Sequence, residues 1–350
     1  MHAIVLSILI FCLALPVTGH AQVLTILTWN AYFSTAMVAA WEARTGATIK
    51  QIVFDKEEVR DSMLGNVREG SLDLVLIDQV SASLFGERGL LLPVRQYTGV
   101  ANLRHLDSHW VQSCGDYASP YFWGSMGLVY RSDKVTTPPT SWQALLDPEP
   151  QLAGHIGMLD SNIDTLAPSL LVRGESINTS DEALLSTVYD ELRALIPGVL
   201  TFEYALSFVG ADPRSDDLYM ALGYSGDHLE LNRLANTDTW KYVVPNEGTA
   251  LWIDCMAVLE GSANKALAMD FVNFLNAPEV AAENSLTLGI ASPNQAAIAL
   301  QPEAFRNDPL VYPDEESLGQ FQEYDKDITL SNMMVRNRIT SALVNLHEAQ

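Results

Sequence analysis

Basic residues are scarce in this chain of 350 residues: 20 Lys and Arg stand against 43 Asp and Glu, a formal charge of −23 with a sequence pI near 4.5. Such a surface repels phosphate backbones and anionic headgroups, so neither nucleic acid nor a membrane surface is expected as a partner, and a small cation is favoured. Cysteine is nearly absent, with 3 in all, and no paired Cys or Cys/His spacing that would hold a structural metal occurs. Walker-type and dinucleotide glycine loops are missing, and Gly223-Tyr224-Ser225-Gly226 lacks the spaced glycine of a nucleophile elbow. His105 and His109 lie on one helical spacing, but neither has the adjacent Glu of a zinc-protease motif. No catalytic set, cofactor or metal is therefore expected. Internal repeats and low-complexity linkers are also absent.

What remains is a folded chain: 48% hydrophobic and 18% charged residues can fill a core, and the length suggests about two domains. The apolar run Ala3 to Val17 has the length of a secretory h-region and is too short to span a bilayer comfortably. Pro16, with small Gly19 and Ala21 ahead of a cut before Gln22, completes a signal peptide over residues 1–21, although its first residues carry no Lys or Arg. The mature chain is expected in the periplasm. Cys12 follows bulky Phe11, which argues against a lipid anchor. Cys114 and Cys255 remain, either paired in an oxidising compartment or separate as two small buried hydrophobes. No later run reaches the roughly twenty apolar residues of a membrane span.

Strand and helix signals alternate from the start of the mature chain. Val23 to Thr28 reads as a strand, Ser34 to Arg44 as a helix closed by Gly46, and Thr48 to Phe54 as a second strand. Glu57 to Arg68 reads as a helix, and Leu72 to Ile77 as an apolar third strand ending at Asp78. This βαβαβ order predicts a parallel sheet covered by helices, with ligand beyond the carboxyl ends of the strands, where Trp29 and Asp78 stand. A second unit follows, with strands at Gly127 to Tyr130, His155 to Leu159 and Tyr242 to Pro245, and helices at Ser141 to Leu146, Asp181 to Leu195 and Asp216 to Leu222. Leu251 to Leu259 reads as a strand, with helices at Ala263 to Leu275 and Asn332 to His347. Two interleaved α/β lobes fit this order better than two consecutive domains.

Aromatic residues stand next to carboxylates at loop positions: Trp29 and Tyr32, Asp78, Asp160 and Asp164, Tyr224 with Asp227, and Trp252 with Asp254. Aromatic faces attract ammonium groups by about 0.5 to 2 kcal/mol each, and carboxylates accept charge-assisted hydrogen bonds from them. Any one such Trp also fits a core and any one such Asp a helix cap. Together they read as a box for a linear diamine.

Several segments match a known family in order: Leu27-Thr28-Trp29-Asn30-Ala31-Tyr32, Leu72-Asp73-Leu74-Val75, Pro120-Tyr121-Phe122-Trp123-Gly124 and Thr140-Ser141-Trp142-Gln143-Ala144-Leu145. Val244-Pro245-Asn246-Glu247-Gly248, Leu251-Trp252-Ile253-Asp254, Phe271-Val272-Asn273-Phe274-Leu275 and Ser292-Pro293-Asn294 follow. From about residue 23 to 346 the chain resembles the spermidine/putrescine-binding branch of the periplasmic solute-binding proteins. The resemblance implies a two-lobed α/β fold, each lobe a mainly parallel sheet flanked by helices, with the ligand in the interlobe cleft. It implies lobes of residues 22–127 plus 255–303 and 128–254 plus 304–350, crossing near Met126 to Leu128 and Asp254 to Met256. It also implies a monomer that closes around a polyamine and delivers it to an ABC transporter permease.

Carried over position by position, Trp29, Asn30 and Tyr32 would wall the ligand from the first lobe, and Trp252 would stack on its methylenes. Asp254 and Asp164, the latter beside Ser161, would bind ammonium groups. Tyr224 and Asp227 would complete the box, with Asp78 adding a carboxylate where the family usually has serine. Ala31 stands where spermidine-type members are often acidic, Val80 and Ile290 where aromatics are common, and Tyr224 where tryptophan is commoner. These departures leave a cationic site but open its exact ligand, so a related solute such as a thiamine-like cation, an amino-sugar or a metal chelate is the competing expectation.

Overall fold

The computed structural model describes residues 22 to 325, 328 and 330 to 350; the expected signal segment lies outside the described residues. Among the described residues ten strands run in chain order: β1 (Val23–Trp29), β2 (Thr48–Phe54), β3 (Leu74–Asp78), β4 (Ser119–Arg131), β5 (Ile156–Gly157), β6 (Val199–Thr201), β7 (Met220–Tyr224), β8 (Trp240–Val243), β9 (Ala250–Val258) and β10 (Gln322–Glu323). The βαβαβ start forms as expected. Ser34 caps the helix Thr35–Thr45 by accepting from the Met37 amide, and Gly46, at φ 72°, ends it by donating to the Glu42 carbonyl. β1 pairs in parallel with β2 over its whole length, Val23 opposite Thr48 through Trp29 opposite Phe54, and with β3 on its other side.

β4 joins the two lobes. Its Ser119–Ser125 half pairs with β9, while Met126–Arg131 pairs with β7 and β8, so one strand of 13 residues belongs to both sheets. Each sheet is mixed: β2, β1 and β3 are parallel in the first and β6, β5 and β7 in the second, and the antiparallel pairings are those made by β4 and β9. The second crossing differs from expectation. β9 stays in the first sheet from Ala250 to Val258, so Asp254 to Met256 lies inside a lobe and the chain returns between β8 and β9. There the buried Thr249 hydroxyl donates to the Met126 carbonyl at 2.5 Å, tying the two crossings together.

The helix expected over Asp216 to Leu222 is replaced by a short 3-10 turn at Ser215–Asp217 and then β7. Met, Ala and Leu favour helix locally, but this five-residue run, buried from Met220 to Gly223, gains a complete ladder beside β4 instead. Both faces of each sheet are covered. In the first lobe Leu27, Val75, Ile77 and Cys255 fill one side, and Leu24, Ile26, Trp41 and Phe271 the other. In the second, Met126, Leu128 and Tyr130 face one core while Val129 faces another with Phe208 and Trp240. The open question of the cysteines is resolved: Cys114, ending the helix Ser108–Cys114, and Cys255 of β9 form a buried disulfide with Cα atoms 5.9 Å apart. Among the described residues, no helix is long and apolar enough to cross a membrane.

Candidate ligand-binding cleft

The carboxyl ends of the strands converge between the lobes. β1 ends at Trp29, β3 at Asp78 and β7 at Tyr224, while Trp252 and Asp254, two apart on β9, project to one face. The β3–β9 register sets Asp78 directly opposite Asp254. Two facing carboxylates repel, and the chain separates their roles. Asp78 caps the helix Gln79–Glu87 through the Ser81 amide at 2.8 Å and pairs at 2.6 Å with Arg60, which is 1% exposed. Burial alone would raise the Asp78 carboxyl, but the Arg60 guanidinium and the Ser81 bonds hold it below the usual carboxylate range. Asp78, expected from the sequence to add a carboxylate, is thus already engaged by a cation and a helix cap, and no local pattern announces that Arg60 folds over it.

Asp254 has no such cation bonded to it. It accepts the Tyr32 hydroxyl at 2.5 Å, and burial pushes its carboxyl up to about 6, against the Tyr32 bond, Arg60 and Trp29. Asp164, in the turn after β5, is 7% exposed and accepts hydroxyls from both Tyr224 and Tyr324 at 2.6 Å, with Ser161 adding a bond at 3.3 Å. The Ser161 hydroxyl also accepts the Asp164 amide at 3.2 Å, which fixes the turn. Burial raises this carboxyl too, although the three hydroxyls oppose the rise. Asp227 opens the helix Asp227–Ala235, accepting the Tyr204 hydroxyl at 2.5 Å and the Tyr224 amide at 2.8 Å, and burial pushes it up to about 7. Burial, reinforced by the adjoining carboxylates, holds the phenols of Tyr32, Tyr204, Tyr224 and Tyr324 well above their usual range, so they remain neutral donors.

The aromatic rings lie around these acids. Trp29 packs on Phe54 with centroids 4.3 Å apart, and Tyr224 meets Trp252 edge-on at 6.2 Å across the lobe boundary. Trp252 donates its indole N–H to the Ser125 carbonyl at 3.4 Å and lies over Gly124, where an added Cβ would fall 2.6 Å from its ring. Asn30 is exposed in the turn before Tyr32, and its side chain takes no part in the hydrogen bonds described for the cleft. Ala31 takes a left-handed φ of 54° there, a conformation uncommon for alanine. The lobes touch: Lys56 of the first bonds Asp160 of the second at 2.5 Å, and Val80 packs on the second lobe's core. Tyr204, Tyr324 and Arg60 are the participants that sequence reasoning missed. Tyr324 stands 160 residues from the acid it binds and Tyr204 23 residues from its own, so no local pattern announces either.

A family model for bacterial extracellular solute-binding proteins matches residues 36–313. The chain is 36% identical over 332 residues to a norspermidine sensor of Vibrio cholerae, covering 95% of this chain and 91% of that protein. It is 29% identical to a putrescine-binding periplasmic protein of Pseudomonas aeruginosa, over 91% of this chain and 92% of the other. Among solved structures, a putative spermidine/putrescine ABC transporter protein from Listeria monocytogenes superposes with a TM-score of 0.81 at 26% identity, covering 92% of this chain and 99% of that one. The two-lobed scaffold and the match along most of its length place this chain in the bacterial extracellular solute-binding protein family.

Proposed function

We propose that this protein is the periplasmic solute-binding component of an ABC importer and captures a polyamine such as putrescine or spermidine by lobe closure. The observation that carries the reading is the set of acids, half-buried Asp254 and buried Asp164 and Asp227, each held by a tyrosine hydroxyl and, among the described residues, none bonded to a protein cation. Ammonium groups supply the missing positive charge, and the methylenes between them fit against Trp252, Trp29 and Tyr224. The ligand leaves chemically unchanged. Closure excludes water, so each ammonium–carboxylate contact strengthens, whereas an empty closed cleft holds buried, uncompensated charge. The moving bodies are the two sheets with their helices, hinged in β4 at Ser125–Met126 and in the connection between β8 and β9.

On this reading the chain is exported by its N-terminal signal peptide, acts as a monomer, and presents its closed form to a permease. The relatives cited support the ligand class, since a norspermidine sensor and a putrescine-binding protein both carry polyamine names. The sensor shares more identity than the putrescine-binding protein does, 36% against 29%, which favours a second reading in which a signalling receptor reads the closed state.

The test is a thermal-shift screen against putrescine, cadaverine, spermidine, spermine, agmatine, thiamine and simple sugars, with hits confirmed by calorimetry. A ligand at a hundred times its Kd stabilises by about 2.7 kcal/mol. A selective rise with a polyamine supports the proposal, and a rise only with another solute overturns it. Loss of labelled-polyamine uptake on gene deletion separates importer from sensor.

A further inference from the structure

A buried cation stands beside the candidate ammonium ligand of the first lobe. Arg60 lies on the helix Glu57–Gly65, and its side chain is 1% exposed. Nε bonds Asp61 at 2.9 Å, Nη2 bonds Asp78 at 2.6 Å and the Ser81 hydroxyl at 2.7 Å, and Nη1 is buried with no hydrogen-bond partner. The guanidinium also lies 5.8 Å from the centre of the Phe54 ring, which packs in turn on Trp29. A charge this fully removed from water depends on its carboxylates, because losing one leaves it uncompensated. Of its two, the Asp61 side chain is 36% exposed and that of Asp78 16%, so the pair with Asp78 is the less screened.

The β3–β9 ladder fixes what lies next to this pair. Asp78 and Asp254 are directly opposite on antiparallel strands, so their side chains leave the same face of the sheet, with Cα atoms about 4.5 to 5.5 Å apart in any such pair. Arg60 therefore stands one cross-strand step from Asp254, whose own hydrogen bond comes from a neutral phenol, that of Tyr32. Burial raises the Asp254 carboxyl, and the Tyr32 bond and then the Arg60 charge oppose the rise. The two facing acids with one guanidinium lack one positive charge; without Arg60 they lack two.

We propose that Arg60 is a specificity-determining residue: as a resident cation on Asp78 it limits this end of the cleft to a single ligand ammonium at Asp254 and disfavours a second ammonium close to the first. The inference rests on the amine-binding reading above. Arg60 acts through the two acids and touches no ligand in this role. Removing one partner or the other then has opposite effects. Loss of the guanidinium frees Asp78 for a further ammonium and favours a triamine over a diamine. Loss of the Asp78 charge leaves the buried guanidinium beside Asp254, where it competes with every amine.

The experiment is calorimetry of Arg60→Gln, Asp78→Asn and the Arg60→Gln/Asp78→Asn double variant with putrescine and spermidine, with melting of each free protein alongside. In Arg60→Gln the affinity for spermidine relative to putrescine is expected to rise at least fivefold. In Asp78→Asn, which keeps an oxygen to cap the helix Gln79–Glu87, both affinities are expected to fall at least fivefold with their ratio within twofold of wild type. The double variant carries neither charge, and both affinities are expected to return to within threefold of wild type. A merely structural role for Arg60 would lower stability and move both amines together, so an unchanged ratio in Arg60→Gln overturns the proposal. If Arg60→Gln does not fold, the other two variants decide. Unchanged affinity in Asp78→Asn, the result if Glu57 or Asp61 took up the freed guanidinium, overturns the proposal, and so does a double variant that fails to recover. In each of these cases the amine-binding reading stands. Failure of the wild-type protein to bind any amine overturns both.

Discussion

Replacing Asp254 by Asn keeps the side chain's shape and its bond from Tyr32 but removes a charge, so binding and stability move in opposite directions. The carboxyl is raised by burial from 3.8 to about 6, a penalty on its ionised form of about 3 kcal/mol in the ligand-free protein. Since the folded-state value lies above the unfolded one, the favourable contribution of this group is complete below about pH 4 and is lost as pH climbs through about 6. Free-protein stability is therefore expected to fall across that window. In Asp254→Asn its share of the slope disappears, and stability at pH 7.5 rises by up to about 3 kcal/mol. Asp164, Asp227 and Glu57 are raised in the same direction and supply the remaining slope. A hydrogen bond to a charged group contributes about 1.5 to 3 kcal/mol, so losing the charged acceptor is expected to weaken diamine binding by more than tenfold. Wild-type affinity is also expected to drop as pH falls below about 6, where a proton competes with the ammonium. Denaturant melts at pH 5 and 7.5, with calorimetry at both, read these quantities. Unchanged affinity, or lower stability of the variant at pH 7.5, refutes the assignment of Asp254 as an ammonium ligand.

Gly124→Ala places a methyl 2.2 Å from Ser225 Oγ and 2.6 Å from the Trp252 ring, which must move; a loss of about 1 to 3 kcal/mol in stability and a clear loss of ligand affinity are expected, and wild-type calorimetry shows the reasoning wrong. The disulfide closes a loop of 141 residues, so a Cys114→Ser/Cys255→Ser variant is expected to lose about 2 to 5 kcal/mol in denaturant melts and to become insensitive to reductant. Lys56→Gln breaks a bridge to Asp160 whose side chains are 40% and 23% exposed; such pairs contribute about 0.2 to 1 kcal/mol, so affinity is expected to fall by no more than about fivefold, and the difference should vanish in high salt. A larger, salt-insensitive loss would show that Lys56 does more than steady the closed form.

The alternation of strands and helices, the Ser34 and Gly46 helix boundaries, and the acids and aromatics at strand ends are written in local order, and a local pattern is enough to read them. That is why Trp29, Asp164, Trp252 and Asp254 could be picked out before their neighbours were known. Tertiary structure decided what each acid does. Asp78 and Asp254 look alike in sequence, yet the fold buries Arg60 against one and a tyrosine hydroxyl against the other, so one becomes a paired cap and one an acid raised to about 6. β7 reads as helix until the edge of β4 offers it a ladder, and β9 reads as a crossing until its pairing keeps it in one sheet. Tyr324 and Cys255 meet partners 160 and 141 residues away. Short-range propensity carries no information about such meetings, because ionisation, pairing and cross-linking depend on which groups are close in space and on how much water burial removes between them.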